Sequence, residues 1–167
     1  MKIRLAQPAD LKQIVAIYNQ AVTEGHCTAD LTPLTMAGQQ QWFDQHKPNR
    51  HPIFVMDDKR ETDSAIIGWC SLSAHRRGRM ALRHVAEISY YVDTRWRRKG
   101  VASRLIRHAL DRAPALELRN LFAILLDINK SSVTLLEKNG FKQWGHLPDI
   151  AELPDRTCGQ FIYGRKV

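Results

Sequence analysis

ISYYVDTRWRRKGVA, residues 88–102, combines a strand, a basic loop, a glycine and the start of a helix in immediate succession. A helix N-terminus presents unpaired backbone N–H groups and the positive end of the helix dipole, and both attract anions. Gly100 would let the backbone approach an anion closely, and the small Ala102 would not block it. With Arg97, Arg98 and Lys99 at its rim, the segment predicts a diphosphate site; a solvated basic turn before an ordinary helix is the alternative.

This pattern differs from the common nucleotide-binding loops. Lys99 precedes the glycine, and no Ser or Thr follows where the magnesium ion of a nucleotide would require it, so the segment is not a P-loop. It also lacks the G-x-G-x-x-G spacing of dinucleotide-binding folds. The predicted diphosphate therefore belongs to another kind of ligand.

The surrounding sequence predicts one mixed α/β domain over residues 1–167. Strand patterns cover residues 3–6, 53–56, 65–73, 85–92, 121–127, 141–146 and 159–163, with a turn at 57–64. Four helix patterns begin near residue 8, at residue 32 or 35, at residue 101, and at residue 129 or 131. The second of these helices extends to about residue 46. Residues 85–92 alternate between two faces, and the apolar run 121–127 fits a central strand buried on both sides. The aromatic pair Trp42 and Phe43 is expected in the core or in a pocket wall.

The composition is that of a globular chain with a strong positive charge. Of 167 residues, 44% are hydrophobic and 25% are charged, and the formal net charge is +8. Such a charge fits three kinds of partner: nucleic acid, a membrane surface or a phosphorylated small molecule. No apolar run reaches the ~18 residues of a membrane span. The N-terminus has no signal-peptide pattern, so we expect a cytoplasmic protein.

The cysteines and histidines do not predict a metal site. Cys27, Cys70 and Cys158 are odd in number and far apart, so free and mostly buried thiols are expected. The seven histidines do not pair at the spacing of metal ligands. We therefore expect no metal dependence.

Several segments together resemble a known family. Arg97-x-x-Gly100-x-Ala102, after a strand that ends Tyr91-Val92, resembles the Q/R-x-x-G-x-G/A acyl-CoA-binding motif of the GCN5-related N-acetyltransferases (GNAT). Residues 83–92 and 17–22 are similar to the matching strand and first helix of the phosphinothricin and L-amino-acid N-acetyltransferase-like subfamily. Residues 129–141 resemble its late N-x-x-S…E-K-x-G-F segment. In order and spacing, the similarity covers nearly the whole chain.

The resemblance implies a fold and a cofactor. The fold is the GNAT fold, a mixed sheet of about seven strands flanked by helices, in which strands four and five splay apart to admit acetyl-CoA. The backbone of Tyr91 and Val92 would bind the pantetheine arm as an added strand does. Asn129 would contact the cofactor near its reactive end, and Ser132 would flank the same arm. The diphosphate would bind the backbone of Arg97, Arg98, Lys99, Gly100, Val101 and Ala102.

Glu87 is the candidate general base. An ammonium ion has no lone pair, so the attacking amine must lose a proton, which a carboxylate beside the thioester can accept. The alternative is an outward-facing strand residue with an ion-pair partner. The resemblance also implies that the N–H of Val92, freed by a β-bulge, stabilises the charge on the thioester oxygen. Leu136 stands where many superfamily members have a tyrosine that protonates the thiolate, so water, Ser131 or Ser132 remain as donors and no general acid is assigned.

The acceptor is open in the sequence. Arg83, and either Arg76 or Arg77, precede Glu87 where the subfamily binds the carboxylate of the acceptor, which a guanidinium can hold through two hydrogen bonds. A solvated basic loop is the alternative. Residues 155–159 read DRTCG and lack the Trp and the Asp of the G-R-W-x-D-like stretch of the subfamily. The particular amino acid is therefore not predicted.

Taken together, these features predict an acetyl-CoA-dependent N-acetyltransferase that acts on the primary amine of a small molecule. An amino acid or an analogue such as phosphinothricin or methionine sulfoximine is the expected acceptor, and a polyamine or protein amine is the alternative. A basic nucleic-acid-binding domain is the alternative from another class, but no basic recognition helix or RNP-like strand supports it. We expect no nucleic-acid or membrane partner, and the resemblance implies a homodimer.

Overall fold

The predicted strands join one sheet in the computed structural model, which describes residues 1–58 and 65–167. No helix in these two ranges is long and apolar enough to cross a bilayer. The elements are β1 (Lys2–Leu5), α1 (Leu11–Glu24), α2 (Gln39–Asp44), β2 (Ile53–Asp58), β3 (Ala65–Ala74), β4 (Val85–Val92), α3 (Val101–Arg112), β5 (Asn120–Leu126), α4 (Lys130–Lys138), β6 (Lys142–Leu153) and β7 (Arg156–Lys166).

The strand order in the sheet is β1-β2-β3-β4-β5-β7-β6. All neighbouring strands are antiparallel except β4 and β5, which are parallel. A parallel pair needs a crossover, and α3 provides it between β4 and β5. This is the mixed sheet of the GNAT fold, as predicted.

β4 and β5 pair over only three rungs. The partners are Val85 with Asn120, Ala86 with Leu121, and Glu87 with Phe122. Beyond Glu87 the two strands separate, whereas β4 stays paired with β3 as far as Val92. The expected splay is therefore present, and it opens a gap along the second half of β4.

Two apolar clusters cover opposite faces of the sheet. The larger packs α3 against β2, β3, β4 and β5, and the smaller packs α1 against the other face of β2 and β3. Gly68 on β3 allows the close approach of α3, because a Cβ there would lie 3.0 Å from Val101 Cγ1. The amphipathic pattern of residues 101–113 is thus satisfied by one face of α3.

The second helix begins later than predicted. Neither Thr32 nor Thr35 caps it; α2 starts at Gln39, and its N-cap is Gly38 with a φ of 78°. Thr and Pro at 32–35 resemble helix-start residues, but they lie in the irregular segment that precedes α2. By contrast, α4 is capped by Asn129, one of the two predicted cap residues, since its Oδ1 accepts from the backbone N–H of Ser132.

The last two strands are longer than predicted. β6 and β7 form a hairpin from Lys142 to Lys166, and β6 contains irregularities in its register that let it continue past Pro148. The first hairpin joins β2 to β3 as expected, but β2 extends through Asp58, and residues 59–64 of the predicted turn lie outside the described residues. β5 is buried except at Asn120, which is half-buried, and at Ile124, which is 42% exposed.

Candidate active site

Two pockets adjoin the part of β4 that β5 has left. One, called here the basic groove, has a volume of about 440 Å³ and lies between β4, the start of α3 and α4. The other, called the aromatic pocket, has a volume of about 560 Å³ and lies between β4, α1 and α2. Cys27 and Tyr91 line both. Molecules bound in the two pockets can therefore meet beside β4.

The basic groove contains most of the predicted cofactor site. It is lined by nine of the ten predicted residues: Tyr91, Val92, Arg97, Arg98, Gly100, Val101, Ala102, Asn129 and Ser132. Lys99 is the exception, because its Nζ lies over the Trp96 ring, 4.6 Å from the ring centroid. The contiguous motif thus folds into one surface, and α4 supplies the opposite wall.

The start of α3 forms the end of the groove that suits an anion. Gly100 is the N-cap, and its φ of 77° is a left-handed conformation that favours glycine. No side chain in the described ranges caps this helix, so its first N–H groups are left for a ligand. A Cβ on Gly100 would meet no atom within 4 Å, so the space beside it is open. The turn therefore fits the diphosphate of coenzyme A.

Arg97 is held in the wall of the groove by α1. Its guanidinium pairs with Glu24, and its Nε donates to the backbone oxygen of Val92 at 3.4 Å. Glu24 also accepts a hydrogen bond from Cys27 Sγ at 3.3 Å. These contacts connect the end of α1 to the loop before α3, and so fix the rim of the groove.

The α4 wall of the groove is organised by Asn129. Its Oδ1 accepts from the Ser132 backbone N–H at 3.1 Å and from the Ser131 hydroxyl at 2.9 Å. The side chain is buried, so its position is fixed before any ligand binds. Leu136, by contrast, is 0% exposed in the core and does not line the groove.

The β3–β4 register decides which backbone groups face the gap. Asp93 N donates to Ile67 O at 3.1 Å, and His75 N donates to Val85 O at 3.4 Å. In an antiparallel pair, hydrogen-bonded and non-hydrogen-bonded residues alternate. The odd-numbered residues of β4 therefore bond to β3, and the even-numbered ones direct their N–H groups to the other side, where β5 has departed.

This alternation corrects two predicted backbone roles. Tyr91 directs its backbone towards its partner Trp69 on β3, so Tyr90 and Val92 are the residues with N–H groups facing the gap. The predicted bulge at Val92 is wrong, because the β3–β4 pairing has no register shift from Val92 back to Ala86. The Val92 N–H faces the gap because of the splay, without a bulge.

The floor of the aromatic pocket is built from cross-strand pairs. Odd-numbered residues of β3 and β4 share one face of the sheet, so their side chains stand next to one another there. From the open end of β4 inward, the pairs are Trp69 with Tyr91, Ser71 with Ser89, and Ser73 with Glu87.

Glu87 lies in this pocket without a charged partner. No side chain in the described part of the chain makes a hydrogen bond or ion pair with its carboxylate. Within the described residues, Glu87 is therefore not the salt-bridged surface residue that was the alternative prediction. Burial raises the pKa of Glu87 above its ordinary value. A carboxylate in such a place is a stronger base than one in water, and it remains within reach of a ligand.

Aromatic rings form much of the remaining wall. The ring centroids of Tyr18 and Tyr91 are 4.8 Å apart, those of Trp69 and Tyr91 4.9 Å, and those of Trp42 and Trp69 5.8 Å. The Tyr18 hydroxyl donates to Asp30 Oδ2 at 2.5 Å. The pocket thus combines apolar surface with two carboxylates, those of Asp30 and Glu87.

The predicted acceptor-binding arginines lie elsewhere. Arg76 and Arg83 line a separate pocket of about 270 Å³, together with Arg77 and Arg79. No Lys or Arg is among the described residues that line the aromatic pocket. β3 ends at Ala74, and the chain then turns through Arg76, whose φ is 49°, so it carries the arginines away from the pocket of Glu87.

Several pocket residues were not identified from the sequence. Trp42 was expected in a core or pocket wall, but Tyr18, Trp69 and Asp30 were not assigned to the site. An aromatic residue at a buried strand position has the same sequence pattern whether it faces core or cavity. Glu24, His26 and Cys27 also bring ligand atoms within 4.8 Å of one another, a grouping of metal-ligating types that histidine spacing did not reveal.

Comparison with known proteins identifies relatives of the whole chain. Residues 1–142 match the family model described as the acetyltransferase (GNAT) domain. YwnH of Bacillus subtilis, provisionally named as a phosphinothricin acetyltransferase, is 38% identical over 167 residues, which are 100% of this chain and 99% of that protein. An L-methionine sulfoximine/L-methionine sulfone acetyltransferase of Pseudomonas aeruginosa is 32% identical over 150 residues, covering 90% of this chain and 85% of that protein.

A solved structure with a similar fold contains acetyl-CoA. The GNAT superfamily phosphinothricin acetyltransferase of Sinorhizobium meliloti, crystallised in complex with acetyl-CoA, matches with a TM-score of 0.90 and 30% identity. The match covers 99% of this chain and 88% of that one. The similarity therefore includes the sheet, the gap and the elements around it.

Proposed function

The chain belongs to the GNAT family and is an N-acetyltransferase that uses acetyl-CoA, and we propose that its acceptor is the primary amine of an amino acid or an amino-acid analogue. The relatives named for methionine sulfoximine and phosphinothricin support this class of acceptor. The observation that carries the proposal is the position of Glu87. It lies in the aromatic pocket, on the strand whose last residues line the basic groove.

In the proposed mechanism, the basic groove binds acetyl-CoA. The N–H groups at the start of α3 and the side chains of Arg97 and Arg98 bind the diphosphate. The N–H groups of Tyr90 and Val92 bind the part of the molecule that lies in the gap, as an added strand would. A backbone N–H in this position, that of Val92, stabilises the charge that develops on the thioester oxygen during attack.

Glu87 accepts a proton from the amine. The amine enters through the aromatic pocket, where the raised pKa of Glu87 brings its basicity closer to that of the group it deprotonates. Direct transfer or transfer through one water are both compatible with a carboxylate at the pocket floor. The neutral amine then attacks the carbonyl carbon from the aromatic-pocket side of β4.

The remaining polar groups of the aromatic pocket suit the polar end of an amino-acid analogue. Ser71, Ser73 and Ser89 place hydroxyls on the floor, and Gln39 and Gln160 are in the wall. Hydroxyls and amides can bind a carboxylate, phosphinate or sulfoximine through neutral hydrogen bonds. An acceptor bound in this way would contact neither Arg76 nor Arg83, which line another pocket.

A second acceptor class is favoured by one observation. The aromatic pocket contains Asp30 and Glu87 and no described cationic side chain, and a cation is attracted both by carboxylates and by the faces of aromatic rings. A diamine or polyamine, which carries a second positive charge, therefore competes with the amino-acid analogue as acceptor.

An acceptor panel separates the two classes. The purified protein is incubated with acetyl-CoA and each amine, and free thiol release is measured with mass spectrometry of the product. We expect the largest kcat/KM with methionine sulfoximine, phosphinothricin or a related amino acid. Preferential acetylation of putrescine or spermidine would replace the amino-acid proposal with the second class, and acetylation of protein amines alone would contradict both.

We also propose that the protein forms a homodimer through β6. This strand is an edge of the sheet, and it exposes 50% of Trp144, 44% of Leu147 and 54% of Ile150. An exposed edge strand with apolar side chains favours association, and a second copy offers an identical patch. A dimer would bury this surface, and the family resemblance implies a homodimer.

A further inference from the structure

The departing sulfur needs a partner for its negative charge, and Leu136 cannot supply one. Its side chain has no hydroxyl and is buried in the core. The donor must therefore be sought among the hydroxyls that line the basic groove: Tyr90, Tyr91, Ser103, Ser131, Ser132 and Thr134.

Most of these hydroxyls are directed elsewhere. Ser131 donates to Asn129 Oδ1 at 2.9 Å, Thr134 donates to the Lys130 backbone oxygen at 3.1 Å, and Ser103 donates to Asn139 Oδ1 at 3.4 Å. The Tyr91 ring stands on the aromatic-pocket face, packed on Tyr18. The hydroxyls that remain belong to Tyr90 and Ser132.

Tyr90 lies beside the gap, in the wall of the basic groove. It is on the open half of β4, beyond the last rung with β5, and its backbone N–H faces the gap. Its side chain points to the α3–α4 face of the sheet, opposite to Glu87, packs against the main core and lines the groove. Ser132 on α4 lies close enough to its hydroxyl to oppose the rise in the pKa of Tyr90 that burial causes. A base and a hydroxyl donor thus stand on opposite faces of one strand.

We infer that the Tyr90 hydroxyl donates a hydrogen bond to the coenzyme A sulfur as the thiolate departs. This inference rests on the proposed acetyl transfer and adds to it a residue for the leaving group. It assigns to a strand residue a role that position 136 cannot fill in this chain.

The step balances without a further reactant. The ammonium form of the amine loses one proton to Glu87 before attack. As the C–N bond forms, the nitrogen loses its second proton to water, and the C–S bond breaks with its electron pair on sulfur. The thiolate is stabilised by the Tyr90 O–H and is later protonated by solvent, which also removes the proton from Glu87. Burial raises the pKa of Tyr90 to about 12, well above the ~8.5 of an ordinary thiol, so Tyr90 keeps its proton and acts as a hydrogen-bond donor.

Tyr90→Phe tests the inference, because it removes only the hydroxyl. We expect kcat to fall roughly tenfold to a hundredfold, which is equal to or somewhat smaller than the loss when one hydrogen-bond donor to a transition state is removed. The KM for acetyl-CoA should change less than threefold. Tyr163→Phe is the matched control: its hydroxyl donates to Glu137, outside both pockets, and its kcat should match that of the wild type. A kcat within twofold of wild type for Tyr90→Phe would overturn the inference.

The pKa of the thiol of bound coenzyme A tests the same inference without an acceptor amine. The thiol of bound coenzyme A is titrated through the ultraviolet absorbance of its thiolate, with ligand-free protein subtracted to remove Cys27. Other charged or titratable groups also face the groove, but they are the same in the wild type and the variant: Arg97, Arg98, Lys138 and His26. We expect a higher thiol pKa in Tyr90→Phe than in wild type; equal values would contradict the inference.

Glu87→Gln, assayed beside Tyr90→Phe, separates this inference from the proposed function. If only Glu87→Gln loses turnover, the donor role of Tyr90 is wrong and the proposed function stands. If only Tyr90→Phe loses turnover, Glu87 is not the base and the donor role stands. If both variants turn over like wild type, both assignments fail.

Discussion

The chemistry of Glu87 follows from its position on β4. Strand alternation turns its side chain to the aromatic pocket, and the neighbouring residues bury it without giving it a charged partner in the described structure. Its pKa is therefore raised, and the ionised form needed for proton abstraction is lost at a higher pH than for an ordinary glutamate.

Replacing Glu87 by Gln should lower kcat roughly a hundredfold at neutral pH, because the amide keeps the shape of the side chain but cannot accept the proton. Acetyl-CoA affinity, measured by calorimetry, should change less than threefold, since Glu87 does not line the basic groove. Glu152→Gln, at an exposed position on β6, is the control. An unchanged kcat would exclude Glu87 as the base.

The raised pKa of Glu87 also predicts the form of the pH dependence. In the wild type, kcat/KM should fall as the pH drops through the raised pKa, because Glu87 becomes protonated. Ionising a buried carboxylate costs stability above that pKa, so Glu87→Gln should raise the Tm at neutral pH. This difference should vanish at a pH where the wild-type carboxyl is protonated. A gain in Tm that persisted in acid would contradict the assignment.

Gly100 is a helix N-cap and also part of the proposed diphosphate site, and a comparison with Gly38 separates these two roles. Gly100→Ala and Gly38→Ala both place an alanine at a helix N-cap with positive φ and open space around it. Each should cost about 1 kcal/mol of unfolding free energy, measured in urea. Only Gly100→Ala should weaken acetyl-CoA binding, because its methyl group projects where the diphosphate would approach. Equal affinities in calorimetry would remove this turn from the binding site.

At the level of elements, β4 was the part most fully predicted from sequence. Alternation over 85–92 and the motif that follows it are local patterns, and local patterns determine a strand, a turn and a helix start. The residues of the basic groove could be predicted because most of them belong to one contiguous motif. Asn129, on a distant helix, could be assigned only through the family resemblance.

Features that depend on tertiary context were missed. The register of two strands decides which backbone N–H groups face the gap, so the roles of Tyr91 and the bulge at Val92 were wrong. The arginines at 76 and 83 precede Glu87 in sequence, but the turn after β3 carries them into another pocket. The start of α2 was misplaced because Thr and Pro are frequent both in loops and at helix ends.

For the molecule as a whole, two surfaces concentrate arginine side chains. Arg97 and Arg98 face the basic groove, where we propose that they bind the phosphate groups of coenzyme A. Arg76, Arg77, Arg79 and Arg83 form a second basic surface that the proposed reaction does not use. The net charge of +8 therefore does not by itself indicate a nucleic-acid-binding protein.

The proposed dimer can be tested with a pair of leucines. Leu147 on β6 and Leu5 on β1 are each 44% exposed, at opposite edges of the sheet. Leu147→Lys should shift the protein from dimer to monomer in light scattering coupled to size exclusion, because it places a charge in the apolar patch. Leu5→Lys should leave the mass unchanged. A monomeric wild type, or equal effects of both substitutions, would contradict the β6 interface.

The most direct test of the whole account is the electron density of coenzyme A in crystals of the protein. We predict that the diphosphate lies against the start of α3 at Gly100. We also predict that the sulfur lies in the gap between β4 and β5, with Tyr90 on one side and the pocket of Glu87 on the other. Density in any other cleft, or an empty turn at Gly100 with saturating ligand, would contradict it.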